Sequence, residues 1–394
     1  MKRWWVLVGL SLLLLALSGC AGTRQESWPG QLVVGDVLYI ADLDHVRALE
    51  AGTGQPLWNW TPDDRANVTT TGFYATPVYD AERKLLLVAS LHGRKVYALQ
   101  LTDNSQAAPG LAWVYPPADE KAVPIIGPLL QAIGVLPEAQ GAKGQYVSGG
   151  AISEDLFIIG NGDGNVYALN LNDGGLVWSY PTQERIWTVP VIAGDVVYVA
   201  SMDHTLYALN LADGALKWKF EALGAMGGSP VLVDGGLWIG DFGNRVYRLD
   251  PATGDVLWTF EEGLDWFWST GTPGDGWIVF TDVQGNVVSF DTRNPSVLWQ
   301  QHIADEIFRG RGVLSADGTK LYLPGYKSGV IRVLEAATGS VLPQIAVSEG
   351  VGRLPGDLIT DAERVYVMPI MAGARVQAID AENGKLLWQY PLPE

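Results

Sequence analysis

The chain repeats one phrase at a fixed interval, and this repeat limits its fold more than any other feature. At residues 166–178 the phrase runs Val-Tyr-Ala-Leu-Asn, then a polar turn containing glycine, then Leu-Val-Trp. Variants occupy residues 206–218 and 246–258, so consecutive copies begin 40 residues apart (166, 206 and 246). A period near 40 that is filled with short alternating strands is typical of four-stranded blades arranged around an axis. The repeat therefore predicts an all-β propeller.

The tryptophan that ends each phrase counts the repeats. It recurs at Trp58, Trp113, Trp178, Trp218, Trp258, Trp299 and Trp388. In one further unit Leu342 stands at the tryptophan position. The turn before the tryptophan commonly contains glycine, as at Gly174 and Gly214, because a tight hairpin needs positive φ. The count predicts an eight-bladed β-propeller built from four-stranded antiparallel blades.

Two intervals between tryptophans are longer than the others: Trp58 to Trp113, partly because of residues 103–109, and Trp113 to Trp178, which contains an insertion at about residues 116–146. The centre of the insertion, residues 123–137, is apolar. Long apolar loops in compact repeat proteins usually have a function. This segment either covers the edge of its own blade or docks on a membrane or a partner, and the sequence leaves both alternatives open.

The composition of the chain limits its partners. Its 394 residues are 48% hydrophobic, which is enough for a large core, and its formal net charge is −17. A strongly acidic surface disfavours binding to nucleic acid and to anionic lipid head groups. We therefore expect no nucleic-acid partner.

The first twenty residues have the order of an export signal. Lys2 and Arg3 precede an apolar stretch at residues 4–17, which is too short for an ordinary transmembrane helix. The stretch ends in Leu-Ser-Gly before Cys20, the only cysteine in the chain, so this residue cannot form an internal disulfide. The segment resembles a bacterial lipoprotein signal, and the resemblance implies lipidation of Cys20.

This division gives a signal peptide at residues 1–20, a tether at 21–30 and the propeller at 31–394. The expected location is the cell envelope, with the protein anchored to a membrane and facing the periplasm or the cell exterior. Ala21, rather than aspartate, follows the cysteine. By resemblance to enteric lipoproteins, this favours the outer membrane in an organism that has one.

The repeated phrase resembles the repeat of the quinoprotein alcohol dehydrogenases, which bind pyrroloquinoline quinone (PQQ) in an eight-bladed propeller. The resemblance covers residues 31–390. Together with the lipoprotein signal and the length, it extends to the BamB family, lipoproteins of the outer-membrane β-barrel assembly machinery that share the propeller without a cofactor. A shared fold does not by itself imply a shared function.

The sequence lacks residues that an enzyme of the quinoprotein type needs. The resemblance implies a vicinal cysteine pair, a Ca²⁺ site and an aspartate base, but Cys20 has no second cysteine to pair with. The nearest imitation of a calcium loop is residues 161–165, Asn-Gly-Asp-Gly-Asn, which lacks the further ligands that Ca²⁺ needs. We therefore expect no catalytic residues and no cofactor, PQQ included.

The four histidines do not have the spacing of metal ligands. His45, His92 and His204 occupy the same turn in three different units, and His302 follows the fourth strand of another. Because blades radiate in different directions, a preference for this turn position explains them better than a metal site. The sequence therefore predicts no metal centre.

Residues that depart from the repeat gather on one face. In a propeller the connectors between blades lie on the same face as the turns between second and third strands, and here they carry aromatic and arginine residues, the types that anchor interfaces. The connectors also contain Met226 and Leu354. The predicted partner-binding residues are Trp187, Trp266, Trp268, Arg309, Arg311 and Arg353. In the alternative interpretation the aromatic residues only plug the mouth of the central channel.

These observations favour a lipid-anchored, extracytoplasmic propeller that acts as a non-enzymatic protein-interaction scaffold. The expected partners are a membrane, through Cys20, and a protein that belongs to the barrel-assembly machinery. Outside its complex the protein is expected to be a monomer. The alternatives are a PQQ-dependent dehydrogenase and another propeller that binds or senses a small ligand.

Overall fold

The protein is an eight-bladed β-propeller, as the repeat predicts. The computed structural model describes residues 30–63, 72–117, 142–346, 353–361, 363–369 and 376–391. Within these ranges there are 32 strands in eight four-stranded antiparallel sheets, and there is no helix. None of these residues therefore belongs to a helix able to cross a membrane.

Each blade is one contiguous stretch of chain whose strands pair in sequence order. Blades 1 to 4 comprise β1 Gly30–Val34, β2 Val37–Asp42, β3 His45–Glu50 and β4 Pro56–Trp60; β5 Val78–Asp80, β6 Leu85–Ala89, β7 Val96–Gln100 and β8 Gly110–Tyr115; β9 Ala151–Ser153, β10 Leu156–Gly160, β11 Asn165–Asn170 and β12 Leu176–Pro181; and β13 Val191–Ala193, β14 Val196–Ala200, β15 Thr205–Asn210 and β16 Leu216–Glu221.

Blades 5 to 8 repeat this arrangement. They comprise β17 Val231–Val233, β18 Gly236–Gly240, β19 Val246–Leu249 and β20 Val256–Phe260; β21 Thr272–Pro273, β22 Trp277–Thr281, β23 Asn286–Asp291 and β24 Ser296–His302; β25 Val313–Leu314, β26 Lys320–Pro324, β27 Val330–Glu335 and β28 Val341–Ala346; and β29 Ile359–Thr360, β30 Arg364–Val367, β31 Val376–Asp380 and β32 Leu386–Tyr390.

The middle strands of each blade are the most buried, as blade 4 shows. The middle strands of blade 4, β14 and β15, are buried over nearly their whole length because both faces of the sheet pack on neighbouring blades. The outer strand β16 alternates exposed and half-buried residues, since its edge faces solvent. The hydrophobic core is therefore a ring of clusters between blades rather than a single centre.

A register shift places the repeated tryptophan between blades. In blade 4 the shift lies between Ala208 and Leu209, directly after the pair of Ala208 with Trp218. Six other blades contain the same shift directly after the residue paired with the tryptophan. In blade 7, which lacks the tryptophan, the shift lies earlier, between Ile331 and Val333. A bulge bends its strand and re-aims the neighbouring side chain. The phrase therefore encodes both the hairpin and the direction of the tryptophan.

The tryptophan of one blade covers the turn glycine of the next. Trp178 Nε1 donates a hydrogen bond to the Leu211 carbonyl at 2.8 Å. A Cβ atom at Gly214 would lie 2.6 Å from Cε3 of the same indole, and the glycine has a φ of +72°. Glycine is thus needed at position 214 for two reasons: the turn has positive φ, and the indole leaves no room for a Cβ atom. The sequence predicts only the need for positive φ.

Blade 7 carries Leu342 in place of the tryptophan, and other groups form its contact with blade 8. Ile345 Cγ1 lies 2.8 Å from the Cβ position of Gly384, the turn glycine of blade 8. The hydroxyl of Tyr322 donates to the Ala381 carbonyl, which corresponds to the carbonyls that accept tryptophan N–H groups elsewhere. The interface therefore keeps a buried donor to this carbonyl without the indole.

The segments on which several predictions fall lie outside the described residues. They include Cys20 with the whole signal and tether up to residue 29, and residues 118–141 of the insertion. The first described strand, β1, begins at Gly30, one residue before the predicted start of the propeller.

Candidate functional site at the channel mouth

A central channel runs along the propeller axis, with a volume of about 920 Å³. The first strands of the blades line it, mainly with small and apolar side chains. Residues of this type include Leu32, Val191, Leu232, Leu314 and Ile359. The channel wall offers few charged groups, so the chemistry of this region is concentrated where the connectors cross its end.

The connectors between blades share a local pattern at this mouth. Each contributes a buried residue that packs into the core, and the next residue lines the channel or its mouth. The buried residues are Phe73, Tyr146, Ile186, Met226, Phe267, Phe308 and Leu354. The residues that follow them are Tyr74, Val147, Trp187, Gly227, Trp268, Arg309 and Pro355. Of two adjacent connector residues, the first therefore packs in the core and the second faces the channel or its mouth.

This pattern corrects part of the predicted face. Met226 has no exposed surface and Leu354 is 1% exposed, so both belong to the core. They differ from their predicted placement because a connector leaves the sheet with alternating side-chain directions. Trp187, Trp268 and Arg309 occupy the outward-directed position and line the mouth.

Four aromatic rings are in continuous contact across the mouth, and three of them are stacked. Trp266 stacks on Phe242 with 5.0 Å between ring centroids and 16° between planes, and Phe242 stacks on Trp268 at 5.0 Å and 20°. Trp268 then meets Trp187 at 6.4 Å. Trp266 is 46% exposed, so it extends the stack towards solvent rather than plugging the channel. Phe242 joins two predicted residues. It lies in the turn between β18 and β19, on the face that the sequence predicts, but it is not among the predicted binding residues.

Arginine side chains extend this stack on both sides. The guanidinium of Arg309 lies 5.2 Å from the ring centroid of Trp268 and 4.2 Å from that of Tyr326. Arg353 lies 5.3 Å from the Tyr326 ring and donates to its hydroxyl at 3.2 Å. On the other side Arg185 lies 5.7 Å from the ring of Trp187. These distances are typical of cation–π contacts.

The mouth face comprises Arg185, Trp187, Phe242, Trp266, Trp268, Arg309, Tyr326 and Arg353. The structure thus brings together five of the six predicted partner-binding residues. Arg311 is separate from them: its backbone N–H donates to Asp357 at 2.7 Å, and the residue lines the channel below the mouth.

A buried carboxylate supports the connector that carries Arg309. The Glu306 side chain is fully buried and accepts hydrogen bonds from the amides of Lys327 and Ser328 at 3.1 and 3.2 Å, and from Arg332 Nε at 2.9 Å. Burial alone would raise the pKa of Glu306, but hydrogen bonds from Ser328, the Ile307 amide and Arg332 hold that pKa below its ordinary value.

The Glu306 carboxylate takes the place of an aspartate carboxylate that blades 5 and 6 have in their own turn between second and third strands. At the start of the same turn in blades 5 and 6, Asp241 and Asp282 accept hydrogen bonds from backbone amides. Blade 7 has Gly325 there, and a Cβ on this glycine would lie 2.6 Å from Glu306 Oε2. The connector is therefore joined to the blade that follows it by a buried carboxylate.

The run at residues 161–165 is a hydrogen-bonded turn. Asp163 accepts from the Asn165 amide at 3.0 Å, from the Tyr167 hydroxyl at 2.8 Å and from the Lys143 amide at 2.8 Å. Burial first, and the bond to Asp163 second, raise the pKa of Tyr167. The carboxylate oxygens are thus occupied by protein donors.

The histidines do not come together in the structure. His302 Nδ1 lies 3.1 Å from Asn286 Oδ1, and His204 occupies a turn with a φ of +70°. Across the described residues no group of three or more histidine, cysteine, aspartate or glutamate side chains has the arrangement of a metal site.

Comparisons with known proteins agree with this architecture. A family model described as outer membrane protein assembly factor BamB matches residues 136–261, 162–307 and 283–394. The crystal structure of BamB from Moraxella catarrhalis is similar, with a TM-score of 0.65 and 19% identity over 88% of this chain and 92% of that one. A search of curated proteins found no match.

The computationally designed Ika8 protein is also similar, with a TM-score of 0.67 and 12% identity over 90% of this chain and 97% of that one. A natural protein and a designed one thus superpose equally well. At these identities the likeness of the structures shows the fold alone.

Proposed function

Because the chain belongs to the family of outer membrane protein assembly factor BamB, we propose that it is a lipid-anchored, non-enzymatic scaffold in the cell envelope. Its partner in this proposal is a protein of the outer-membrane β-barrel assembly machinery. The anchor is Cys20, and the binding surface is the mouth face. The family supports a role in protein interaction, and the residues at the mouth support the choice of surface.

The observation that carries the proposal is the continuous contact between aromatic rings and arginines at the mouth. Trp, Tyr and Arg dominate binding energy at protein interfaces, because they combine large contact area with hydrogen bonding. Here they are linked by ring contacts of 5.0 to 6.4 Å, so the surface is ordered before a partner arrives. A preordered surface loses less conformational entropy on binding.

Exposed apolar residues extend this surface. Leu223 and Leu264 lie in the connectors after blades 4 and 5, and each is 61% exposed. Trp266 lies two residues after Leu264. Large apolar side chains grouped on a face rimmed by polar residues indicate a protein-binding site.

Capture of the partner from envelope extracts tests the surface. The full-length protein should recover a component of the barrel-assembly machinery, and Arg309→Glu should reduce that recovery. Arg293→Glu is the matched control, because Arg293 is an exposed arginine in the turn between β23 and β24, on the opposite face. Full recovery by the Arg309 variant would exclude this part of the mouth as the binding surface.

Replacement of the cysteine tests the anchor. The Cys20→Ser variant should leave the membrane fraction and appear in the soluble fraction of the envelope, because acyl chains supply about 0.8 kcal/mol per buried CH₂. A variant that stays membrane-bound would contradict lipidation as the anchor and would direct attention to the insertion at 116–146.

The quinoprotein alternative has its own test. Incubation with PQQ and Ca²⁺ followed by an assay for dye-linked alcohol oxidation should give no activity above the protein-free background. Turnover that depends on both additions would overturn the scaffold proposal.

A further inference from the structure

A second cavity of about 590 Å³ opens at the mouth, and its charged lining is cationic. Arg94, Lys143, Arg185 and Arg309 line it, and no aspartate or glutamate is among the described residues that do so. The chain as a whole has a net charge of −17, so this lining is opposite in sign to the rest of the molecule. Concave sites lined by one sign of charge focus the field and attract the opposite sign.

Three of these cations have no counter-charge within the described part of the chain. Arg94, Arg185 and Arg309 form no ion pair with any described residue. Arg309 is held between the rings of Trp268 and Tyr326, and its buried Nε–H has no hydrogen-bond partner among the residues that the structure describes. Buried donors in folded proteins are nearly always paired. Aromatic contacts therefore hold this guanidinium in place, and no described carboxylate pairs with it.

The cations come from separate loops. Arg94 lies in a turn of blade 2, Lys143 precedes blade 3, Arg185 follows blade 3 and Arg309 follows blade 6. Cations that come from four loops present several separate sites for anionic groups rather than one. A ligand with several carboxylates along an extended chain can occupy several of these sites.

The shape of the site also fits an extended ligand. The cavity and the central channel share lining residues, among them Trp187, Trp268 and Arg309, so the two form one continuous groove. The two tryptophans give this groove an apolar wall between the cations. Carboxylates of an extended ligand would therefore meet the cations, and an apolar side chain of the same ligand would meet the two tryptophans.

We propose that this cavity, called here the mouth pocket, binds an acidic peptide segment of the protein partner. Carboxylates of the segment pair with Arg309 and Arg185, and an intervening aromatic side chain packs on Trp187 and Trp268. The inference rests on the proposed function, in which the mouth face binds a protein, and adds the chemistry of the bound segment.

Calorimetric titration of the full-length protein in detergent tests the inference. The probes are acetyl-Gly-Glu-Phe-Glu-Gly-amide and the same peptide with glutamine at both glutamate positions. The glutamate peptide should bind about tenfold more tightly or better, since a charge-assisted hydrogen bond is worth at least that factor. The advantage should shrink as NaCl rises, because salt screens the attraction.

Two variants locate the binding. Arg309→Met should weaken the glutamate peptide about tenfold, and Arg293→Met on the opposite face should leave its affinity unchanged. If Arg309→Met fails to fold, Arg185→Met at an exposed position is the second variant. Equal affinity for the two peptides, or equal weakening by the Arg293 variant, would overturn the inference.

Failure of the inference and failure of the proposed function give different results. If the machinery is captured through Arg309 but the glutamate peptide has no advantage, the scaffold proposal holds and the acidic segment is wrong. If the glutamate peptide binds at Arg309 but no assembly component is captured, the mouth pocket stands and the proposed partner is wrong.

Discussion

The indole of Trp388 donates a hydrogen bond to the backbone carbonyl of Ala51 at 3.0 Å, and this contact joins the last blade to the first. The same ring covers Gly54, whose Cβ position lies 2.4 Å from the indole Cε3. Tyr366 also donates to the Ala51 carbonyl at 3.3 Å, and Gln31 Nε2 donates to the Tyr366 carbonyl at 3.3 Å. Blades 1 and 8 do not share strands, so side-chain contacts close the ring.

Trp388→Ala should lower the free energy of unfolding by about 3–5 kcal/mol, the usual cost of removing a large buried aromatic side chain. Trp178→Ala is the matched control, since Trp178 makes the same contact between blades 3 and 4 with nearly equal burial. Chemical denaturation of both variants measures the two losses. A loss below about 1 kcal/mol for Trp388 alone would show that other contacts close the ring.

Gly214→Ala should destabilise the protein more than Gly194→Ala. Both glycines have positive φ, +72° and +58°, so each alanine costs about 1–2 kcal/mol in backbone strain. Only at position 214 does the added Cβ collide with Trp178, which costs about 1–3 kcal/mol more. Thermal unfolding compares the two variants, and equal losses would contradict a packing role for the turn glycine.

Tyr322→Phe should cost more stability than Tyr198→Phe. Tyr322 donates to the Ala381 carbonyl, which accepts no other hydrogen bond in the described part of the chain. Tyr198 donates to the Pro251 carbonyl, which keeps a second donor in Trp218. The expected difference is about 1 kcal/mol, the cost of an unsatisfied buried acceptor. Denaturant titration measures it, and a reversed order would contradict the role given to Tyr322.

Glu306→Gln should remove part of the dependence of stability on pH. The pKa of Glu306 in the folded state lies below its ordinary value of 4.5, so the ionised carboxylate stabilises the fold above about pH 4.5. That contribution is lost as pH falls through the folded-state pKa. The variant should lose about 1–3 kcal/mol near pH 7 and less at acidic pH.

Unfolding measured between pH 7 and pH 3 checks this prediction. Glu262→Gln, at an exposed position in a neighbouring connector, is the control and should unfold like the unmodified protein across the range. If the Glu306 variant and the unmodified protein lose stability in parallel on acidification, the carboxylate does not contribute as described.

The sequence is sufficient for the number and type of blades because the repeat carries its own markers. The spacing of Trp178 from Trp218 and the turn glycine between them predict four strands and their order. The way the ring closes was not predictable from the sequence. A blade that combines strands from both ends of the chain and a blade formed by one contiguous stretch have the same local sequence pattern. Closure depends on contacts between residues more than 300 positions apart, such as that of Tyr366 with Ala51.

The site was predictable in its location and only partly in its members. Connector position identified Trp187, Trp268 and Arg309, but not the direction of each side chain, so the buried Met226 was grouped with them. Phe242 and Arg94 lie in turns between the second and third strands of blades 5 and 2, and nothing in the sequence marked them as neighbours of these connectors. Their placement follows from how the blades are arranged around the axis, which no local pattern records.

The way the ring closes has a consequence for the history of such chains. The joint between last and first blade uses the same tryptophan and glycine contact as the joint between blades 3 and 4. Closure thus uses the contact that the repeat already carries, and Gln31 adds a hydrogen bond to it. A duplicated repeat that carries both the tryptophan and the turn glycine would form the same joint on either side of itself, whereas a copy of blade 7 would bring the different joint of Tyr322 and Ile345 with it.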